Sequence, residues 1–162
     1  GNNADALYSL TVASIVPSQK EDAVWLGGRN DFSSQIWKAT QQEMSISILE
    51  KYDLKEVDSS PGNITQLIED NHGNIWIGTT SRLFFKPANS KKIVTLSFAI
   101  PHVSDMSKDS KGNIWIASQD AIYQMSYESK PTLLKQYSKK SIPLHEDPII
   151  KISANAHDDC SG

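Results

Sequence analysis

This sequence of 162 residues lacks paired cysteines, long apolar runs and a marked excess of either charge. Its single cysteine, Cys160, cannot form an internal disulfide bond, so cysteine usage does not indicate a cellular compartment. Sixteen basic residues stand against nineteen acidic ones, with no basic stripe, which argues against a nucleic-acid surface. The apolar runs are far shorter than the roughly 18–20 residues that a bilayer-spanning helix needs, so we expect no membrane segment in this chain.

Patterns typical of catalysis or metal binding are missing too. The four histidines share no metal-ligand spacing, and no cysteine pair joins them. Cys160 has no neighbouring base, and nothing resembles the strained turn that carries a nucleophilic serine. The segments 70–73 and 109–112 contain Asp and Gly, but apolar residues follow where a calcium loop needs a glutamate, so we interpret them as tight turns. We therefore predict no catalytic residue, no metal and no cofactor.

What the chain does contain is an internal repeat. Gly-Asn-Ile-Trp-Ile-Gly-Thr at 73–79 recurs as Gly-Asn-Ile-Trp-Ile-Ala-Ser at 112–118, an offset of 39 residues. An upstream apolar pair and an aspartate keep that offset: Ile64, Leu67 and Asp70 in one copy, Val103, Met106 and Asp109 in the other. A looser copy, Val-Trp-Leu-Gly, stands at 24–27. A period near 40 indicates a supersecondary unit that stacks on its neighbours.

Each repeat predicts four antiparallel strands, which is one blade of a β-propeller, because β-branched and aromatic runs alternate with Asn-, Asp- and Gly-rich turns. In the second unit we expect strands at 64–68, 75–79, 83–86 and 93–98. In the third unit we expect them near 103–108, 113–118, 121–127 and 132–138. The first unit has strands near 7–16, 24–27, 36–38 and 45–54, with an expanded loop at 28–34 and a longer exit at 55–63.

The predicted fold is all-β, a partial β-propeller of about three four-stranded antiparallel blades plus one extra strand. The chain 1–162 is one such fragment, with blades at about 7–60, 61–100 and 101–140 and the opening strand of a further blade at 147–162. Propellers typically close with about four to eight blades, so this number does not close a ring. Either the chain is part of a larger protein or it closes with another copy. Since exposed strand edges invite pairing, we expect a homo-oligomer or edge-to-edge strand pairing.

The apolar pair, the aspartate and the Gly-Asn-Ile-Trp-Ile-Gly-Thr run together resemble the two-component regulator propeller repeat. The resemblance is good over 64–79 and 103–118 and weak over 24–27. Ala117 and Ser118 depart from the family's Gly and Thr, and the first unit has residues 19–22 in place of the Asp and Gly of the turn. No kinase segment is present in the chain.

That resemblance implies the periplasmic sensor region of a hybrid two-component system histidine kinase of the Bacteroidetes kind, anchored in the inner membrane. Many such receptors respond to oligosaccharides, so it also implies an oligosaccharide ligand and signal transduction by a kinase outside this chain. We predict a non-catalytic extracytoplasmic sensor fragment. One alternative is a propeller lyase of the streptogramin-inactivating type, although those tend to have Phe-Thr after the tryptophan. Another is a protein-binding scaffold without a small ligand.

Loops on a rigid scaffold are where ligand-binding residues are expected. Trp25, Trp76 and Trp115 recur at equivalent positions, which favours packing between blades over sugar stacking. Trp37 departs from the repeat beside the expanded loop, so a surface or ligand role is more plausible for it. An arginine with flanking aromatics suits carbohydrate hydroxyls or carboxylates. The candidate ligand-binding residues are Arg29, Asn30, Asp31, Phe32, Trp37 and Arg82.

Overall fold

The computed structural model describes residues 9–138, which form twelve strands and one short 3-10 turn, Leu54–Glu56, with no α-helix in that part of the chain. The first four strands are β1 Thr11–Pro17, β2 Val24–Arg29, β3 Ser34–Gln42 and β4 Ser45–Asp53. The next four are β5 Ile64–Glu69, β6 Ile75–Thr79, β7 Leu83–Lys86 and β8 Val94–Thr95. The last four are β9 Val103–Lys108, β10 Ile114–Ser118, β11 Ala121–Tyr127 and β12 Pro131–Ser138.

These strands form three four-stranded antiparallel sheets, each a meander in sequence order. We call β1–β4 blade 1, β5–β8 blade 2 and β9–β12 blade 3. The inner strand β5 lies between β1 and β9 and contacts both, so the three blades stand side by side along a common inner edge. The prediction of a partial β-propeller is confirmed. The further strand predicted at 147–162 lies outside the described residues.

Blade 1 is longer than the others, and the sequence predicted part of the extra length correctly. The β2–β3 hairpin is longer than β6–β7, but β2 continues to Arg29 and β3 begins at Ser34, so the loop itself is 30–33 and not the predicted 28–34. The exit predicted at 55–63 is the segment 54–63, and further length lies in the β3–β4 hairpin, whose strands have nine residues each. In blade 2, β8 is shorter than the predicted 93–98, because Ile93 packs in the core instead of pairing with β7.

Equivalent positions of the three blades occupy the same register. Side chains that stand in a row across each sheet are Ile15, Leu26 and Trp37 in blade 1, Leu67, Ile77 and Phe84 in blade 2, and Met106, Ile116 and Tyr123 in blade 3. Trp37 therefore keeps the period, and the prediction that it departs from the repeat is wrong. The match is hidden in the sequence because the β2–β3 hairpin is longer than its counterpart β6–β7.

The blades stack through one repeated contact. We call the face that carries the repeated tryptophan the leading face and the opposite face the trailing face. Trp25 and Ile36 on the leading face of blade 1 pack against the trailing face of blade 2 around Phe84. Trp76 and Phe85 of blade 2 pack in the same way against blade 3. The prediction that these two tryptophans pack between blades is confirmed, which follows from burying large aromatic surfaces at each junction.

A buried aspartate explains the Asp-x-x-Gly-Asn-x-Trp pattern. The Asp70 carboxylate accepts hydrogen bonds at 2.9–3.0 Å from the backbone N–H groups of His72 and Asn74, from the Asn74 amide and from the Trp76 indole. Gly73 adopts a φ of +84°, which L side chains rarely adopt. The pattern therefore specifies a tight turn and the orientation of the following tryptophan, and the interpretation of 70–73 as a turn is confirmed.

The same carboxylate cluster recurs in blade 3 but not in blade 1. Asp109 accepts from the backbone N–H groups of Lys111 and Asn113 and from the Trp115 indole at 2.8–2.9 Å. In blade 1 the β1–β2 turn has no such aspartate. Its Gln19 N–H donates instead to Glu69 Oε2 of blade 2, at 2.9 Å, and the Lys20 ammonium donates to the backbone carbonyl of His72.

Candidate functional site

The loops that bear most of the predicted ligand residues lie at one end of the blades. We call this end the upper rim; it comprises the β2–β3, β6–β7 and β10–β11 loops and the connecting segments 54–63 and 96–102. Thr80 N–H donates to the Asn63 carbonyl at 2.9 Å, and His102 N–H donates to the Ser81 carbonyl at 3.1 Å. These bonds fix the connecting segments against the loops, so the upper rim is an ordered surface.

A polar cleft of about 490 Å³ opens on the upper rim at blade 1. It lies between β1, the end of β2, the β2–β3 loop and the start of β5. The polar residues that line it are Ser9, Thr11, Arg29, Asn30, Asp31 and Asn63. The structure thus brings together three of the six predicted ligand residues. Asn63 and Thr11 were not predicted, because they come from the inter-blade connection and from an inner strand whose sequences carry no ligand signal.

Arg29 is a cleft residue whose side chain is held in place by a hydrogen bond to another cleft residue. It is the last residue of β2, and its exposed guanidinium donates from Nη1 to Asn63 Oδ1 at 2.9 Å. That bond uses one of the five N–H donors of the fork and orients the rest. Asp31, also exposed, adds a carboxylate acceptor to the same cleft. The cleft therefore offers fixed donors and acceptors to a polar ligand, which is how binding sites define orientation.

Asn30 shapes the loop and so positions its neighbours. Its Oδ1 accepts from the backbone N–H groups of Phe32 and Ser33 at 2.9 and 2.8 Å, which is an Asx turn. The carbonyl is thereby used, and its amide N–H₂ is the part that can reach a ligand. Phe32 stands at the tip of this turn with 77% of its surface exposed and does not line the cleft.

Trp37 and Arg82 do not line the cleft. Trp37 is only 1% exposed; its indole N–H donates to Gln35 Oε1 at 2.8 Å and the Lys51 ammonium lies 4.4 Å from its ring centre. It has no ring face open to a ligand and packs in the core of blade 1. Arg82 lies in the β6–β7 loop, where its Nε is 3.1 Å from Asp58 Oδ2. This ion pair holds the segment 54–63, so the role seen for Arg82 is structural.

A second polar cleft, of about 310 Å³, lies between blades 1 and 2 at the other end. The ammonium groups of Lys38 and Lys86 lie 5.5 and 5.4 Å from the Trp25 ring centre. Burial lowers the pKa of Lys86. Burial alone would raise the pKa of Glu50, but hydrogen bonds with Tyr52 and Lys38 and the charges of both lysines bring it below its usual value. These charges pair with one another, which favours a role in joining the blades.

One known family matches the end of the connection between blades 1 and 2 together with the first two strands of blade 2. Residues 58–81, which include the Asp70 cluster and Trp76, match the sequence profile described as two component regulator propeller. The chain carries the two-component regulator propeller repeat. No curated protein sequence matches this propeller chain. Among residues 9–138, the chain contains no helix long and apolar enough to cross a bilayer.

Solved structures show the same fold. The extracellular domain assigned to a hybrid two-component system of B. thetaiotaomicron is 22% identical, with a TM-score of 0.56 over 82% of this chain. A protein from Bacteroides uniformis assigned as a 6-phosphogluconolactonase is 15% identical, with a TM-score of 0.54 over 78% of this chain. This chain spans 17% and 43% of the lengths of these two chains. At such identities the likeness concerns the fold alone.

Proposed function

We propose that this regulator propeller is a non-catalytic, extracytoplasmic ligand-sensing part of a two-component system and that it binds an oligosaccharide in the upper-rim cleft. The repeat and the likeness to an extracellular domain assigned to a hybrid two-component system support the regulatory role. The observation that carries the ligand site is the Arg29 guanidinium, held by Asn63 in the same cleft as Asp31. Its planar fork suits vicinal hydroxyls or a sugar carboxylate.

The described residues favour binding over catalysis at this cleft. Asp31 is the one carboxylate among its lining residues, whereas general acid–base chemistry uses a positioned pair of titratable groups. The two described histidines lie at opposite ends of the blades: His72 in the β5–β6 turn and His102 on the upper rim, with Nδ1 3.0 Å from the Thr80 carbonyl oxygen. They do not converge as a lyase site of the streptogramin-inactivating type would require.

The position of the cleft suggests how binding is transmitted. Its walls come from blade 1 and from Asn63, which precedes β5 of blade 2 and bonds to Thr80 in the β6–β7 loop. A ligand that contacts Arg29 and Asn63 together therefore favours one arrangement of blade 1 against the connection to blade 2. Ligands shift such equilibria by their difference in affinity for the two arrangements. Membrane and kinase segments outside this chain would relay the shift.

The test is calorimetric titration with a panel of neutral and uronic-acid-containing oligosaccharides, using Arg29→Ala and Arg29→Lys, with Lys130→Ala, which removes an exposed cation of the β11–β12 hairpin far from the cleft, as the control. We expect at least one oligosaccharide to bind, and Arg29→Ala to weaken it by about 10- to 100-fold, the range for a hydrogen bond to a charged group. Arg29→Lys should restore little of that loss, because it keeps the charge without the fork. Unchanged affinity in Arg29→Ala, or no binding across the panel, refutes the proposal; the second result favours a protein-binding scaffold.

A further inference from the structure

A lysine occupies a buried position of blade 2 that is apolar in the other two blades. In each blade this position pairs with the residue that precedes the repeated tryptophan, and it is Ala39 in blade 1, Lys86 in blade 2 and Met125 in blade 3. Their exposed fractions are 1%, 4% and 0%. Lysine is almost never buried to this extent unless its charge is paired. A buried ammonium group at this position therefore needs a partner.

The described residues compensate the charge of Lys86 only in part. Its Nζ donates a hydrogen bond, at 3.0 Å, to the backbone carbonyl of Pro87. It also lies 5.4 and 5.5 Å from the ring centres of Trp25 and Tyr52 in blade 1. No carboxylate oxygen among residues 9–138 lies within 4 Å of it. An ammonium group has three N–H donors, so two of them remain for an acceptor from outside this part of the chain.

Lys86 lines the polar cleft between blades 1 and 2, which we call the lower cleft, and the glutamates of that cleft have other partners. Glu21 and Glu50 both form ion pairs with Lys38. Glu69 Oε2 accepts a hydrogen bond from a backbone N–H of blade 1 at 2.9 Å. Within the described chain these three are the carboxylates that line the lower cleft. Lys86 therefore faces the cleft without a carboxylate of its own.

The charges around the lower cleft favour an anion. Its lining contains four lysines against three glutamates, in a chain with sixteen basic and nineteen acidic residues. Burial lowers the pKa of Lys86; the charge of Glu50 opposes this effect, and the charges of Lys38 and Lys91 add to it. Cations held close together in a recess attract anions from solution. A bound anion would compensate the charge that the described residues leave only partly paired.

The loop after β7 places neutral polar groups beside these cations. Asn89 and Ser90 line the lower cleft with an amide and a hydroxyl, both of which can donate. The loop is ordered, because the Ala88 N–H donates to Asn74 Oδ1 at 2.8 Å and the Ser90 N–H to the Pro87 carbonyl at 3.2 Å. The cleft volume of about 310 Å³ is within the range of small-molecule sites. At about 30 Å³ per water molecule, it is more than one or two waters would fill.

We propose that the lower cleft binds the oxyanion of a small ligand, a carboxylate, sulfate or phosphate group, with Lys86 as its buried counter-charge. Lys91 supplies a second cation, and Asn89 and Ser90 orient the oxygen atoms of the group. Because the cleft lies between blades 1 and 2, the bound anion also strengthens their junction. The site is independent of the upper-rim cleft, which lies at the opposite end of the blades and contains none of these residues.

The test is an NMR titration of the 162-residue chain with phosphate, sulfate, acetate and glucuronate, each at an ionic strength held constant with sodium chloride. Binding is measured from the backbone amide signals of residues 86–91, Pro87 excepted. Lys86→Met introduces the residue that blade 3 has at this position, and Lys130→Met, at an exposed lysine of blade 3, is the matched control. We expect saturable shifts in the wild type and the control. The affinity should fall about 10- to 100-fold in Lys86→Met, the range for a hydrogen bond to a charged group.

Three further measurements separate loss of the anion site from loss of the fold. Without anion, Lys86→Met should unfold at the same or a higher urea concentration than the wild type, because an apolar residue replaces a partly compensated buried charge. Lys91→Met, at an exposed residue, should weaken binding about 2- to 5-fold, as expected for an exposed charge pair. Arg29→Ala should leave the affinity unchanged, which distinguishes this site from the upper-rim cleft.

The choice of anions distinguishes the possible sources of the bound group. Equal affinity for acetate and glucuronate supports a site for free oxyanions, whereas tighter binding of glucuronate supports a site for a sugar acid. Absence of saturable shifts with all four anions refutes the proposal. Unchanged affinity in Lys86→Met or in Lys91→Met refutes it as well, and so does loss of binding in Arg29→Ala, because the anion then binds elsewhere.

Discussion

Replacement of Asp70 by asparagine is the sharpest perturbation of the repeat, because it changes one atom and leaves the shape of the side chain. Asp70 is 2% exposed, and its two carboxylate oxygens accept four hydrogen bonds. In Asp70→Asn the remaining oxygen can still accept from the backbone N–H groups of His72 and Asn74. The new N–H₂ group then faces two further donors, the Asn74 amide and the Trp76 indole.

The expected loss follows from those two contacts. Hydrogen bonds to a charged group contribute about 1.5–3 kcal/mol each, and a buried donor left unpaired costs about 1–3 kcal/mol. Burial of a neutral amide in place of a carboxylate offsets part of this loss, so we expect Asp70→Asn to destabilise the protein by about 3 kcal/mol. With a urea slope of about 1.5 kcal/mol per molar, the unfolding midpoint falls by about 2 M.

Asp109→Asn is the internal comparison. Asp109 accepts three hydrogen bonds, and its indole donor belongs to Trp115, which is half-buried, so that water can replace the lost partner. We expect a loss of about 1 kcal/mol there. Urea unfolding followed by tryptophan fluorescence measures both variants, with the exposed Asp120→Asn as the control. Equal losses at the two sites, or a loss below about 1 kcal/mol for Asp70→Asn, would refute this reasoning.

Two further predictions concern the turn and the charge cluster. Gly73→Ala should destabilise the protein by about 1–2 kcal/mol in thermal unfolding, since φ is +84° there, and Gly73→Asn should cost less; equal melting temperatures for all three proteins would contradict this. Because the pKa of Glu50 is lowered on folding, the unfolded chain binds its proton more readily, so its contribution is present above the ordinary glutamate pKa and is lost as pH falls. Glu50→Gln should therefore destabilise the protein at pH 7 and progressively less as pH falls below the ordinary glutamate value of about 4.3; a loss that does not change with pH would speak against the charge interactions.

The blades could be predicted from the sequence because the residues that specify each one lie close together in the chain. The Asp-to-Trp spacing, the glycine turn and the alternating strands all lie within about 20 residues, which is the range over which periodicity reports structure. Trp37 was assigned wrongly for the same reason: its place in the repeat depends on cross-strand register, and a longer hairpin displaces it along the chain. Register is set by pairing and side-chain burial together, and neither is visible in linear spacing.

The candidate cleft was predicted in part. Arg29, Asn30 and Asp31 were found because they adjoin one loop. Asn63 was not, because its bond to Arg29 joins residues 34 apart in the chain. Phe32 was correctly placed at a loop and is exposed, whereas the contact of Arg82 with Asp58 required knowledge of where the segment 54–63 lies. The sequence thus identified the site residues that are neighbours in one loop, and it missed the contacts that join residues far apart in the chain.

The turn of blade 1 that bonds to Glu69 and His72 has a consequence for how the blades depend on one another. Blades 2 and 3 each contain the aspartate that closes their own first turn, so either unit can organise that turn before it meets a neighbour. The turn of blade 1 closes with the bond from the Ser18 N–H to the Ala23 carbonyl, and its bonds to Glu69 and to the His72 carbonyl form only at the junction with blade 2. Separation of blade 1 from blade 2 would thus remove part of the hydrogen bonding of the blade 1 turn and leave the aspartate bonds within the other two turns in place.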